Sequence, residues 1–464
     1  MEYYGTSEHM IEMIFNFNME IMFSMNIKFS INTKFTMNMK YILRNIGAFL
    51  LTFILIFLCC TNFKSQIVFA KKQETLIRKA YQPLSKISKN RYILEDDGVY
   101  RKKMSEDELI LLSGKDEPMD IAKSATVMIT GDLMCLRAQQ YGAKSKSTYV
   151  FNDSFSFVKQ IFSNSDLVIG NLETLTSHSN YYTYEQKTIE GSPNCNAPGT
   201  FLDALRYAGF DAVVTANNHC LDGGMAGIRE TIEKLQEYHI AQVGTYLGND
   251  LPRFLIYEVN GIKIGVLSYT EYINFRQSLS ANDLNNFVNC YSKASVERDV
   301  KEAKKAGAEF VIAYNHWGIE NTTEITNLQK QHAKEMAEAG VDVIIGSHPH
   351  CLQEAVYIKT SDKRQVLCMY SMGNFVSSMA TEANNDTIIL RLLVSKEDGK
   401  VTLKQSGYYP LKVFPVYENK HYVIVPTQKE FQKGNTTTAL EKAGKRIKNV
   451  LGTTIKEWKV KESK

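Results

Sequence analysis

The eight cysteines contain no CxxC pair, which excludes a zinc ribbon and leaves no written disulfide framework. An excess of either charge is also missing. Lys and Arg number 54 against 50 Asp and Glu, a balance of +4 over 464 residues, so composition carries no electrostatic footprint for nucleic acid and no nucleic-acid partner is expected. Hydrophobic content of 44% and charged content of 22% exclude a mostly disordered chain and a polytopic membrane protein. The length has room for about three domains, although an α/β core of ~250–300 residues can form one unit.

Turn punctuation and periodicity are absent from residues 1–40, which hold eight of the 17 methionines. Residues 1–36 are expected to be unstructured or to precede the true start, because Met37 or Met39 would place a short basic segment directly before an apolar run. That run, Ile46 to Cys60, is 15 residues without a charge, between a signal h-region and a minimal membrane span. Residues 37–70 are therefore expected to be a signal peptide or a membrane anchor. Lys40 and Arg44 favour an anchor with its N-terminus inside, while Val68-Phe69-Ala70 suits cleavage. Either reading sends the rest outward, to the extracytoplasmic face of the cell membrane or into the medium. Residues 71–123 read as a charged stalk with one short helix, whose Ser105 and Glu108 have capping-box spacing.

From Ser124 the texture becomes helix, Gly, acidic residue and short β-branched run, repeated. Three units nearly superimpose: AGFDAVVTANNH (Ala208 to His219), AGAEFVIAYNHW (Ala306 to Trp317) and AGVDVIIGSHPH (Ala339 to His350). In each, a helix is predicted to stop at Gly209, Gly307 or Gly340 with positive φ, and a strand follows that ends in Asn and His or in paired His. Strands entered alike are expected to deliver their histidines to the carboxyl edge of one sheet. Further strands end at Gly131-Asp132, at Gly170-Asn171-Leu172-Glu173 and at Ser371-Met372-Gly373-Asn374, so Asp, Glu, Asn and four His are predicted to converge in the crevice beyond that edge. Asn260-Gly261 and Asp398-Gly399 are type I′ hairpin signals, which makes the sheets mixed. The class is α/β, with mixed sheets packed between helices.

A single histidine is more often structural than a ligand; four at equivalent strand ends reverse that expectation. His, Asp, Glu and Asn without cysteine ligands suit Mn, Fe or Zn better than Ca or Mg. One ion, or two roughly 3.5–4 Å apart, could hold a phosphoryl oxygen and acidify a water. Hydrolysis of a phosphoester, or transfer through the same geometry, is the reaction class that follows.

GDLM (Gly131 to Met134), GNLET (Gly170 to Thr174), ANNH (Ala216 to His219), NHWG (Asn315 to Gly318), GSHPH (Gly346 to His350) and SMGNF (Ser371 to Phe375) occur in this order. The series resembles the CapA family of poly-γ-glutamate capsule biosynthesis proteins, within the calcineurin-like metallophosphoesterase superfamily, over about residues 124–395. The resemblance implies a four-layer α-β-β-α sandwich, two mixed sheets between helices. By matching position it implies Asp132, Glu173, Asn218, His316, His348 and His350 as metal ligands and His219 as the group that protonates a leaving group. It departs where phosphoesterases of the superfamily carry Asp-x-His, because Met134 stands in that histidine's place and Met is a poor ligand for a hard metal. Asn171-Leu172-Glu173 likewise replaces Gly-Asp. The implied function is biosynthesis or export of an anionic capsule polymer at the membrane, alongside a ligase and membrane subunits. The alternatives are an extracytoplasmic metal-dependent phosphoesterase and a non-catalytic scaffold with a vestigial site.

Arg137, Asn171, Asn217 and Asn374 are the expected contacts to an anionic polymer or phosphoester, with a surface salt bridge as the other reading of Arg137. Trp317 is either a lid or core, and Asp222 either orients His219 or caps a loop. Cys135, Cys220 and Cys351 follow motifs directly and read as buried small residues rather than thiolate ligands. His178 and His239 have no expected chemical role. The main domain is placed at 124–425. Residues 426–464 read as a basic helix and tail, with a solvated Lys-rich face or, alternatively, a contact to an anionic membrane or polymer.

Overall fold

The computed structural model describes residues 91–102, 123–186 and 194–460; the expectations for residues 1–70 and for the Ser105 capping box lie outside them. Among the described residues, no helix is long and apolar enough to cross a membrane.

The β-branched runs form two mixed sheets. One has the spatial order β1 (Tyr92–Leu94), β2 (Val99–Lys102), β9 (Phe254–Val259), β10 (Ile262–Thr270), β11 (Phe310–His316), β12 (Val343–Ser347), β14 (Gln365–Met369) and β13 (Ala355–Lys359). The other has the order β18 (Lys420–Pro426), β17 (Lys400–Tyr417), β16 (Asp386–Glu397), β3 (Lys123–Leu133), β6 (Leu167–Leu172), β7 (Ala212–Val214) and β8 (Ala241–Val243). Against its members lie β15 (Asn374–Val376), on β3, and β19 (Lys456–Glu457), on β17. A small hairpin, β4 (Lys144–Ser145) with β5 (Thr148–Tyr149), forms a sheet of its own.

Period-2 alternation sorts the side chains of each strand into two cores. Val127 and Ile129 of β3 meet Ile264 and Val266 of β10 in the cluster between the sheets. Met128, between them in sequence, faces outward with Val168 onto Phe201 and Leu205 of the helix Thr200–Ala208. On the other side, Val311 and Ile344 pack on Val296 and Val300 of the helix Lys293–Lys305 and on Met336 of the helix Asn327–Ala339. Helix, sheet, sheet and helix are the four layers of the expected sandwich.

The helix stops occur where the glycines put them: Gly209, Gly307 and Gly340 have φ of 110°, 103° and 105°. The acidic residue that follows each has a repeated task. Asp211 accepts the backbone N–H of Val168 at 2.8 Å, Glu309 that of Lys263 at 3.0 Å and Asp342 that of Val311 at 2.9 Å. Asp166, before β6, does the same for Thr126 at 2.8 Å. Each carboxylate thus satisfies a donor near the start of the neighbouring parallel strand. Asn260 and Gly261 have φ of 49° and 74°, and Asp398 and Gly399 have 49° and 73°, so both hairpins are of the expected type I′.

Three expectations are corrected. The matching units do not feed one sheet: β7 belongs to one, β11 and β12 to the other, because the shared local pattern specifies entry into a strand and not its partner. Residues 91–102 are not stalk. They add two strands to a sheet edge, with β2 parallel to β9 and Tyr100 stacked on Tyr257 at 4.8 Å; an edge strand keeps a charged outer face, which composition reads as solvent. The C-terminal helix is not a tail. Thr437–Leu451 buries Leu440, Ala443, Ile447 and Leu451, and Arg446 reaches Asp386 with Nε at 2.5 Å.

Candidate metal centre

Strand register assembles the site. β3 and β6 set Asp132 opposite Asn171, β15 sets Asn374 opposite Asp132, and β11 with β12 sets His316 opposite Ser347. Two motif glycines permit this crowding: a Cβ on Gly131 would lie 1.9 Å from the Gly373 carbonyl oxygen, and one on Gly346 equally close to that of Tyr370. Only Gly allows such backbone approach. His348 and His350 are held at φ of 96° and 57°, a region that costs a bulky L-residue energy and persists where surrounding contacts impose it.

Glu173 lies at the middle. It is fully buried and neither carboxylate oxygen has a hydrogen-bond partner. His316 Nε2 is 3.6 Å from Glu173 Oε1, 3.0 Å from Asn218 Oδ1 and 3.1 Å from His348 Nδ1. Its other nitrogen, Nδ1, meets Ser347 Oγ at 2.9 Å. His350 Nε2 stands 3.9 Å from the same Oε1, and its Nδ1 lies 2.9 Å from Asn374 Oδ1 and 3.5 Å from Asp132 Oδ2. Asp132 Oδ1 accepts from Asn171 Nδ2 at 2.8 Å.

Burial, then the neighbouring Asp132 charge, pushes the Glu173 carboxyl well above its usual range. Burial, reinforced by the His348, His350 and His219 rings, holds His316 well below the usual imidazole value, and burial with His350 takes His348 down to about 3. Burial acts the same way on His350, but the Asp132 carboxylate outweighs it and the net shift is upward. Neutral imidazoles are the ligating form.

This arrangement fits a divalent cation. In the tautomer that puts the proton on Nδ1, toward Ser347 Oγ, His316 Nε2 turns a lone pair to an amide oxygen, an imidazole nitrogen and an unsatisfied carboxylate. Such a cluster of acceptors in a dry site is costly without positive charge at its centre. Glu173, His316 and His348 offer three atoms within 4.8 Å of one another, and so do Asp132, Glu173 and His350. The two groups share Glu173. The ligand types, N and O, suit Mn, Fe or Zn. Met134 is buried and bonds through its backbone, its N–H to Val376 and its carbonyl to Gln139.

His219 adjoins this set through Asn218. Its Nδ1 is 2.7 Å from Asp222 Oδ2, the arrangement in which Asp222 orients the ring. Asn274 Nδ2 approaches the same nitrogen at 3.4 Å. Two neighbours escaped the sequence reading. Tyr272 stacks on His348 with centroids 4.8 Å apart, and Cys195 Sγ lies 3.8 Å from His219 Nε2. Tyr272 had a readable signal, since β10 ends at the same rim with Thr270 opposite His316; Cys195 had none.

The residues expected to contact substrate are placed as follows. Asn171 and Asn217 are buried; Asn217 donates to Asn171 Oδ1 at 3.1 Å and to the Leu172 carbonyl at 2.8 Å. Asn374, also buried, holds His350 and donates to Ser377 Oγ at 2.9 Å. Strand register turns Asn171 and Asn374 into the protein beside Asp132, and Asn217, in the bend after β7, bonds Asn171 from the next strand end. Arg137 is exposed, and its guanidinium donates to the Gln186 carbonyl. Trp317 is core, its Nε1 donating to the Tyr370 carbonyl at 2.8 Å. Cys135, Cys220 and Cys351 are buried. His178 is an exposed partner of Glu230 at 3.4 Å, and His239 has φ of 57° just past the helix Gly224–Glu237.

The family model for bacterial capsule synthesis protein PGA_cap matches residues 126–379. The chain is similar to the capsule biosynthesis protein CapA of Bacillus anthracis, 30% identical over 281 residues, covering 57% of this chain and 63% of that protein. It is 28% identical over 269 residues to the PGA biosynthesis protein CapA of Bacillus subtilis, covering 57% and 67%. The match thus spans slightly less than two thirds of the first relative's length. Among solved structures, the calcineurin-like phosphoesterase YfkN from Bacillus subtilis aligns with a TM-score of 0.40 at 14% identity, covering 70% of this chain and 98% of that one.

Proposed function

The chain belongs to the PGA_cap family of bacterial capsule synthesis proteins, and from that membership we propose a metal-dependent protein of capsule assembly, acting outside the cell membrane on poly-γ-glutamate or a related anionic polymer. The observation that carries the metal is Glu173, a buried carboxylate without a donor, beside the His316 and His348 imidazoles that burial keeps neutral. Asp132, Glu173, Asn218, His316, His348 and His350 would hold one or two ions of Mn, Fe or Zn. Such an ion supplies Lewis acidity toward a phosphoryl or acyl oxygen. The apolar run Ile46 to Cys60 supports the membrane placement, and a ligase with membrane subunits is the partner set.

Phosphoester hydrolysis is the reaction we favour over a purely structural role, and the His219–Asp222 pair is the reason. Asp222 holds the proton at Nδ1, which leaves Nε2 to carry the proton given to a leaving oxygen. Tyr272, partly exposed on the face of His348, would flank the substrate.

The test uses the full-length chain, purified from membranes, with metal content measured by mass spectrometry and turnover of a bis(nitrophenyl) phosphate diester. Bound Mn, Fe or Zn with turnover lost in His219→Ala is expected; a metal-free protein without turnover would overturn the enzyme. Restoration of capsule in a strain lacking its own family member tests the pathway. Protease digestion of this domain in intact cells tests its side of the membrane.

A further inference from the structure

Cys195, His219 and Asp222 form a second cluster, beside the Glu173 set and sharing no ligand with it. Cys195 is fully buried, and the His219 and Asp222 side chains are 6% and 1% exposed. Asp222 Oδ2 does two things: it meets His219 Nδ1 at 2.7 Å and accepts the Cys195 backbone N–H at 2.6 Å. The carboxylate therefore fixes the ring and draws in the residue that carries the thiol. With Nδ1 engaged, Nε2 is the free edge of the imidazole, and Cys195 Sγ stands before it at 3.8 Å. One donor atom from each of the three residues lies within 4.8 Å of the others. The second carboxylate oxygen, Asp222 Oδ1, is buried without a hydrogen-bond partner.

These dimensions fit a soft-metal site. Zinc binds thiolate sulfur at about 2.3 Å and imidazole nitrogen at about 2.0–2.1 Å; a tetrahedral angle then separates sulfur from nitrogen by about 3.6 Å. A carboxylate behind the ligating imidazole is the usual outer partner of such a histidine, fixing its tautomer and raising its basicity. The Glu173 set has only oxygen and nitrogen donors. Sulfur makes this cluster the softer of the two.

We propose that Cys195 Sγ and His219 Nε2 bind a soft divalent cation, zinc foremost, with Asp222 as the carboxylate behind the imidazole and water completing the shell. As the sulfur–metal bond forms, the thiol proton leaves to solvent, and no oxidant or reductant is involved. The consequence rests on the function proposed above. Zinc here occupies Nε2, the atom that protonates the leaving group, so it silences turnover while the Glu173 set stays loaded.

The test is cobalt titration of the full-length chain after chelation, followed in the near ultraviolet for a sulfur-to-cobalt charge-transfer band, with zinc added to displace it. The band is expected in the native protein and in Glu173→Gln, and lost in Cys195→Ser that retains a native circular dichroism spectrum. Cobalt bound without the band, or a band that survives Cys195→Ser, would overturn the site. If Cys195→Ser does not fold, zinc-edge absorption of the native protein decides. A shell containing one sulfur at about 2.3 Å supports the site, and a sulfur-free shell sinks it. Failure of the hydrolase reading looks different: turnover is absent while the band remains.

Discussion

Glu173 Oε1 and His316 Nε2 lie 3.6 Å apart, with no hydrogen-bond donor to either Glu173 oxygen. A carboxylate placed this way destabilises the metal-free fold and becomes an asset once a cation is present. Glu173→Gln keeps the shape and removes the ionisable carboxyl, whose raised titration in the metal-free fold costs stability above the usual carboxylate range. In the presence of chelator the variant should be more stable than the parent by about 1–3 kcal/mol, read from urea unfolding. Added manganese should stabilise the parent and not the variant. A variant less stable than the parent in chelator would mean that the carboxylate has a partner unrelated to metal.

Asn374 tests the bracing role assigned to the buried amides. Its Oδ1 meets His350 Nδ1 at 2.9 Å while its Nδ2 is anchored on Ser377, so the ring is fixed with Nε2 toward Glu173. Loss of an outer partner of a metal-ligating histidine costs about 10–100-fold in metal affinity. Asn374→Ala should weaken manganese binding by that factor in calorimetric titration. If affinity holds and only the KM for a diester rises, the amide serves substrate as the sequence suggested.

What could be read in the sequence was local. Gly209, Gly307 and Gly340 announce helix ends because positive φ is a property of one residue, and Asn260-Gly261 announces its hairpin for the same reason. The motif ends of the strands pointed to Asp132, Glu173, Asn218 and three histidines as site residues because each lies at or just past the C-terminal end of a parallel strand, in whichever of the two sheets that strand sits. Sheet membership was not local. Asp211 and Asp342 occupy equivalent positions in near-identical units, yet their N–H partners, Val168 and Val311, lie in different sheets. The direction of Asn171 and Asn217 was hidden too, since an amide reads the same whether it faces water or a neighbouring strand. Cys195 lies 24 positions before His219, with no spacing rule to join them.

The C-terminal helix belongs to the domain if its buried face carries weight. Ile447 is fully buried, packed into the cluster between the sheets with Leu451 and Ile455. Truncation of a buried Ile to Ala costs about 2–5 kcal/mol through lost transfer energy and the cavity left behind. Ile447→Ala should lower stability by that amount in urea unfolding, with a single cooperative transition. A change near zero would return residues 437–451 to the status of an appended tail.

Asp222 separates a proton-transfer role for His219 from a purely structural one. Its Oδ2 holds Nδ1 at 2.7 Å, which leaves Nε2 as the edge that would give a proton to the leaving oxygen. Asp222→Asn preserves the size but can turn an N–H as readily as an oxygen to Nδ1, so the ring loses its fixed tautomer and orientation. For the diester the expected result is a fall in kcat of about 10–100-fold at unchanged KM and unchanged metal content. A poorer leaving group should widen the deficit, because protonation then matters more to bond cleavage. A variant with normal kcat for both esters would leave His219 without the proton-donor role, and Asp222 as no more than a brace for the Cys195 backbone.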